Sequence, residues 1–258
     1  PPRSTLFPYT TLFRSSVKNV YGDHSCKKFA FVSFNQDTIL DNFLAEQFNQ
    51  PLATMDDYAN INEKPFCLFK PHGSWNWGWK FPNTSIFEGK IADWLFDNNK
   101  NFFQVYFELI GDHVNMIDWG VWGYEASLNK HYLGKHTIDK SQLMIIDNDN
   151  LNNYYPALIL PYRDKDEFIM PLRHFKNMEN YFSNIETLIL IGWKGNENAF
   201  NRQLLTHACN ICKVVIADPN HKIVEENLKE LLDRPNVEKI VYKNFEDFVE
   251  NGMEKEIY

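Results

Sequence analysis

Two runs in the second half of the chain, Thr187-Leu188-Ile189-Leu190-Ile191-Gly192 and Lys213-Val214-Val215-Ile216-Ala217-Asp218-Pro219, constrain the fold most. Their apolar residues are consecutive rather than alternating. A strand with one wet face alternates, whereas a strand apolar on both faces must be covered on both. Shorter β-rich runs fall at 28–34, Phe66–Phe69, 157–160 and Glu238–Tyr242. Helical patterns lie between them. Residues 38–50 put Ile39, Leu40, Phe43, Leu44 and Phe48 on one face, and Pro51 stops the pattern. Residues 168–183, 198–211, 223–232 and 245–249 read as further helices, with Ile223, Val224, Leu228 and Leu231 sharing one side of the third. Strands alternating with helices predict an α/β fold: a Rossmann-like parallel sheet with helices on both faces.

The stretch 76–156 interrupts that pattern. It is rich in Trp, Asn and Asp, with mixed periodicity, and is expected to be an insertion or lid subdomain, mostly helical. Helices are expected within it at 91–96 and 121–128, a short strand at 142–146, and a polar loop at 147–153. Trp75, Trp77, Trp79, Trp94, Trp119, Trp122 and Trp193 either stack on the rings of a ligand or, for most of them, form the core of this subdomain, the expected role, since aromatic side chains bury large apolar areas.

Residues 1–15 carry Thr-Leu-Phe twice between two Arg-Ser pairs and read like translated adapter DNA. They are set aside as a non-native leader, leaving 16–258 as the folded domain. The 258 residues suffice for one large domain. Apolar content of 44% and charged content of 23% place the chain among globular proteins. A net charge of −8 argues against direct nucleic-acid binding, because no basic excess is present to displace counterions. No apolar run approaches the ~20 residues of a membrane span, and no secretory signal is recognised. Four cysteines form no disulfide pattern, so a reduced, cytoplasmic protein is expected.

Polar residues cluster after four of the strands, where open α/β sheets bind ligands. Asn35 follows the first, with Asp37 and Thr38 available to cap the next helix. His72-Gly73-Ser74 follows the second. His72 suits proton transfer near neutral pH, or is a structural histidine in a turn. Gly73 allows a close backbone approach or φ > 0. Gly192-Trp193-Lys194-Gly195-Asn196 ends the third, either as a plain turn or as a surface for a dinucleotide. Asp218 ends the fourth, as a ribose acceptor or as the start of an Asp-Pro-Asn turn.

Four segments together resemble the sirtuin-like (SIR2-like) family. Val32-Ser33-Phe34-Asn35-Gln36-Asp37-Thr38-Ile39-Leu40 resembles its T-x-N-Y-D-x-x-L segment, and Lys70-Pro71-His72-Gly73-Ser74-Trp75-Asn76-Trp77 its K-x-H-G-S-x-N-W segment. Leu190-Ile191-Gly192-Trp193 is similar to its I-G-Y-S turn, and Ile216-Ala217-Asp218-Pro219 to its I-x-D-P strand. The likeness runs over about 28–250, weakly through the middle. It implies a domain that takes NAD as substrate. In the bacterial branch that substrate is hydrolysed at its nicotinamide bond, in antiphage defence. By motif match Asn35 would hold the water or ribose, and His72 would act as general base. Asp37 would contact the carboxamide or shape the pocket. Gly73, Ser74, Gly192, Trp193, Asn196 and Asp218 would line the dinucleotide site, and the rings stacked on tryptophan would be nicotinamide or adenine.

Gln36 stands where the family has Tyr. No Gly-x-Gly precedes residue 28, so the family's first strand and its phosphate-cradling G-A-G turn are not found. The expectation is a fragment that is inactive or insoluble as it stands. Deacylases of the family hold zinc with two Cys-x-x-Cys pairs; only Cys209-Asn210-Ile211-Cys212 has that spacing here, so no zinc is expected. A deacylase is therefore the weakest reading. An NAD hydrolase, gated by self-association or an activating partner, and a non-catalytic NAD- or nucleotide-binding module both remain open.

Overall fold

The computed structural model describes residues 29–59, 66–81 and 168–257, together with short strands between 114 and 158; side chains in the middle stretch are described only up to residue 78 and at 157–158. The leader at 1–15, the expected helix at 91–96, Trp94, Trp119 and Trp122 lie outside the described residues. The fold is mixed α/β, with its parallel strands in two small sheets.

The first sheet pairs β1 (Phe29–Val32) with β2 (Phe66–Phe69) in parallel register, Phe29 opposite Phe66 and Val32 opposite Phe69. Ser33 N–H donates to the Phe69 carbonyl at 2.9 Å and extends the ladder one step. All four residues of β2 are fully buried, as a strand covered on both faces must be. Two helices make the crossover: α1 (Ile39–Gln47) and α2 (Met55–Ala59). The first begins where Asp37 Oδ1 accepts the Ile39 N–H at 3.0 Å, and Thr38 makes no side-chain cap. It ends at Asn49, whose φ of 49° is a left-handed conformation that Asn tolerates well.

The second parallel sheet runs β10 (Thr187–Ile191), β11 (Lys213–Ala217), β12 (Glu238–Tyr242) in that order, each strand in register with the next. The helix before it, α3 (Leu172–Phe182), buries His174, Met178, Tyr181 and Phe182, the spacing of one helical face. Between the strands lie α4 (Asn198–His207) and a pair, α5 (His221–Asn227) and α6 (Lys229–Leu232), where one helix over 223–232 is expected; the break falls at Leu228. The fourth helix stops four residues short of the expected Ile211. Arg234 accounts for this: its guanidinium donates to the Leu205 and Ala208 carbonyls at 2.8 and 2.7 Å, satisfying groups at the helix end that have no intrahelical partner. One core joins both parallel sheets, with Leu44, Phe66, Leu68, Phe182, Leu204, Val214 and Ile216 buried in it. Each such side chain contributes about 1.5–3 kcal/mol on leaving water.

Where the stretch 76–156 is described, it is strand rather than the expected helix. Every element described between 73 and 158 is a strand: β3 (Gly73–Phe81), β4 (Val114–Met116), β5 (Gly123–Glu125), β6 (Lys130–Leu133), β7 (His136–Asp139), β8 (Met144–Asp147) and β9 (Asn152–Leu158). They form one antiparallel sheet in the order β4-β3-β9-β8-β7-β6-β5. The helix expected at 121–128 gives way to Gly123–Glu125, paired with Lys130–Leu133. The short strand near 142–146 is found at Met144–Asp147, and residues 147, 152 and 153 of the expected loop belong to strands. Each of these strands has backbone N–H and C=O groups paired by a neighbouring ladder.

The chain closes on α7 (Phe245–Asn251) and α8 (Met253–Ile257). Glu256, almost fully buried, accepts from Lys213 Nζ at 3.2 Å and Tyr242 Oη at 3.0 Å. Burial alone would raise its carboxyl; Tyr242, Lys213 and Lys255 outweigh that and hold it below the ordinary glutamate value. Burial, then Glu256, pushes the Tyr242 hydroxyl up to about 12. A carboxylate with a depressed pKa stabilises the fold above its unfolded value, and that stabilisation is lost as pH falls through the folded value. Melting temperature should therefore drop as pH falls below about 4.3. Glu256→Gln should cost about 1.5–3 kcal/mol at neutral pH and flatten this acid limb. Parallel acid limbs in wild type and variant would remove Glu256 from the account.

Candidate functional site

Ring contacts bring residues after the carboxyl ends of β1 and β2 against a residue after the carboxyl end of β10. Asn35 follows β1, His72 follows β2, Gly192 and Trp193 follow β10, and Asp218 follows β11. Phe34 joins them. Its ring lies 5.0 Å from the His72 ring, stacks on Trp193 at 5.4 Å with planes 7° apart, and meets Phe200 edge-on at 5.0 Å. Trp193 also meets Phe200 edge-on at 5.4 Å, and its indole N–H donates to Glu197. Two strand ends from different sheets are thus held by an aromatic cluster. His72 is buried, and Asn35 beside Phe34 is exposed.

His72 sits in a tight turn. The Gly73 N–H donates to the Lys70 carbonyl at 2.9 Å, with Pro71 and Gly73 at the second and fourth positions that such turns favour. Gly73 has φ 76°. A Cβ there would lie 1.9 Å from the Ala157 carbonyl oxygen, so the protein's own backbone fills the space expected for a ligand. Ser74 is fully buried and belongs to an internal network. Gly192 differs: at φ 61° it has no atom within 4 Å of a Cβ position, which leaves open space above the strand end.

The acidic candidates are engaged locally. Asp37 caps α1, as above. Asp218 Oδ1 accepts the Asn220 N–H at 2.6 Å, the turn reading of that residue. Asn196 Oδ1 accepts from Asn227 Nδ2 at 2.8 Å, and the same amide reaches the Lys194 carbonyl at 2.8 Å; Asn201 holds the Gly195 carbonyl at 2.7 Å. The 192–196 loop is therefore pinned in shape by side chains of two helices. Beside Asp37 a cleft of about 280 Å³ is lined by Gln36, Asp37, Thr38, Ile39, Trp75 and Leu158. That volume is at the lower end for ligand pockets and suits one ring-sized group.

Sequence reasoning passes over the most connected side chain of the region. Lys70 is fully buried, and its ammonium donates to Asp41 Oδ1 at 2.9 Å, Ser74 Oγ at 2.7 Å and the Asp37 carbonyl at 2.5 Å. Asp41 Oδ2 accepts from Tyr58 Oη at 2.7 Å. Burial pulls the Lys70 ammonium below the usual lysine range, with Asp41 and then Asp37 opposing. Burial, and then the Asp41 charge, pushes the Tyr58 hydroxyl above the tyrosine range, so Tyr58 stays a donor. The signal in the chain is Asp41 itself: an acid between Leu40 and Leu44 on a buried helix face requires a cation.

Cys209 and Cys212 are both exposed free thiols, and among the described residues no group of three or more His, Cys, Asp or Glu side chains is arranged to hold a metal. No helix among the described residues is long and apolar enough to cross a membrane. No family model matches the chain, and no curated protein and no solved structure matches it.

Proposed function

We propose that this chain is an NAD-consuming hydrolase of the sirtuin-like kind, built on a Rossmann-like sheet, that cleaves the nicotinamide N-glycosidic bond and serves antiphage defence. The observation that carries the reading is the meeting of His72 and Trp193 through Phe34, with Asn35 adjacent, at the carboxyl ends of parallel strands from two sheets. The motif resemblance supports the substrate, and the open space over Gly192 supports close approach of a dinucleotide. In the reaction the bond from the ribose carbon to the nicotinamide nitrogen breaks, and its electron pair leaves with neutral nicotinamide. Water adds to the cationic sugar carbon. His72 takes the proton released by that water, and the Asn35 amide, able to donate and accept, orients it. A neutral leaving group removes the need for a strong general acid.

The second reading is a non-catalytic NAD- or nucleotide-binding module, which the same arrangement of strand ends would permit. Nicotinamide release from NAD by the full-length protein and its His72→Ala and Asn35→Ala variants, with NAD binding measured calorimetrically on the same samples, separates the two. Release by wild type that both variants lose while still binding supports the hydrolase. Binding without release in wild type selects the module.

A further inference from the structure

We propose that Lys70 is a positioning residue that sets the placement of Asn35 relative to His72 by clamping the 35–37 segment onto the 70–75 turn. The proposal deepens the hydrolase reading, and its kinetic part rests on that reading. Lys70 Nζ has three N–H groups and three acceptors around it: the Asp41 carboxylate, Ser74 Oγ and the Asp37 carbonyl. These belong to the helix Ile39–Gln47, the strand Gly73–Phe81 and the loop carrying Asn35. Around this centre the two loops bond directly. The Trp75 N–H donates to the Gln36 carbonyl at 2.8 Å, Ser74 Oγ reaches the same carbonyl at 3.4 Å, and Gln36 Nε2 donates to the His72 carbonyl at 3.5 Å. Asn35 is one residue from this clamp on one side, and His72 is part of it on the other.

A buried ion pair is a poor device for stability alone, since burying both charges offsets much of their attraction. A fully bonded ammonium does fix geometry, because each acceptor must stay within hydrogen-bond reach of one point. Reaction rates respond to such placement: an error of about 1 Å in a reacting group can cost ~100-fold.

The test is the double variant Lys70→Met/Asp41→Asn, which removes both buried charges together and leaves Tyr58 an acceptor at position 41. The single Lys70→Met variant strands the Asp41 charge and is the one expected to fail to fold. Two readouts are taken on the full chain. The first is the kcat and KM of nicotinamide release. The second, independent of turnover, is the His72 imidazole NMR resonance, assigned among the eight histidines by its loss in His72→Gln. The expected result is a folded double variant with a moved or broadened His72 resonance, kcat lowered ~10–100-fold and KM within a few-fold. An unmoved His72 resonance in the folded variant overturns the proposal, whatever turnover does. A moved resonance in a protein whose wild type releases no nicotinamide leaves Lys70 as the positioning residue and removes the hydrolase reading. Should the double variant not fold, Ser74→Ala cuts one arm of the clamp and is followed by the same resonance: movement supports the clamp, and an unmoved resonance overturns it.

Discussion

Replacing His72 with alanine is expected to lower nicotinamide release by about 10²–10⁴-fold, the usual contribution of a positioned general base. NAD binding should change only a few-fold, because in the proposed reaction the imidazole acts on a proton that moves in the transition state. The variant has a structural cost to be separated from the chemical one. The ring is buried against Phe34, and its removal leaves a void where that contact was. Asn35→Ala carries the cleaner information: Asn35 is exposed, so its loss should leave the melting temperature almost unchanged while release falls about 10²-fold or more. Steady-state release, calorimetric binding and a thermal melt on each variant distinguish the terms. Release unaltered in both variants would take the chemistry away from this strand-end pair.

The largest effect on the fold is expected from Gly73→Ala. The new Cβ would meet Ala157 O at 1.9 Å, Ala157 C at 2.8 Å and Leu158 Cα at 2.9 Å, all backbone atoms that no rotamer change can move aside. The left-handed φ of 76° adds about 1–2 kcal/mol for a residue with a Cβ. The Gly73–Leu158 pairing must open, and the combined loss is on the order of 3–5 kcal/mol, a large share of a typical stability of about 5–15 kcal/mol. A fall of about 10 °C in melting temperature follows for a chain of this size. A shift under about 2 °C would mean that the turn adapts without cost. Because His72 precedes Gly73, the same substitution should also disturb the proposed general base.

The parallel strands are legible in the chain from their consecutive apolar residues; Val214–Ala217 is buried throughout, whereas in Leu188–Ile191 only Leu190 is buried and Ile191 is exposed. The ends of helices are less so. Nothing near Cys209 announces that Arg234, 25 residues later, closes the fourth helix early. The middle sheet departs from the helical expectation although the chain carries its signals. Trp75, Trp77 and Trp79 recur at every second residue, the period of a strand, and two residues beginning with glycine, Gly134-Lys135, separate Lys130–Leu133 from His136–Asp139, a hairpin spacing. Mixed composition masks both. At the site, the motifs fall after strands, and their chain order does not assign individual roles. Whether Gly73 faces a ligand or Ala157 depends on a contact 84 residues away, and Asp218 as turn former or ligand depends on one backbone N–H.

Phe34 stacked on Trp193 has a consequence for how the molecule comes apart. Among the described residues the sheet of Phe29–Val32 and the sheet of Thr187–Ile191 share no hydrogen-bond ladder; side-chain packing joins them. Such contacts are non-directional and break without a register to unzip, so the two sheets should act as separate cooperative units in native-state hydrogen exchange. Amides of Phe66–Phe69 and of Val214–Ala217 should exchange with different opening free energies, and Phe34→Ala should widen that difference. The indole of Trp193 stands at the seam and becomes, in effect, an optical gauge of its closure.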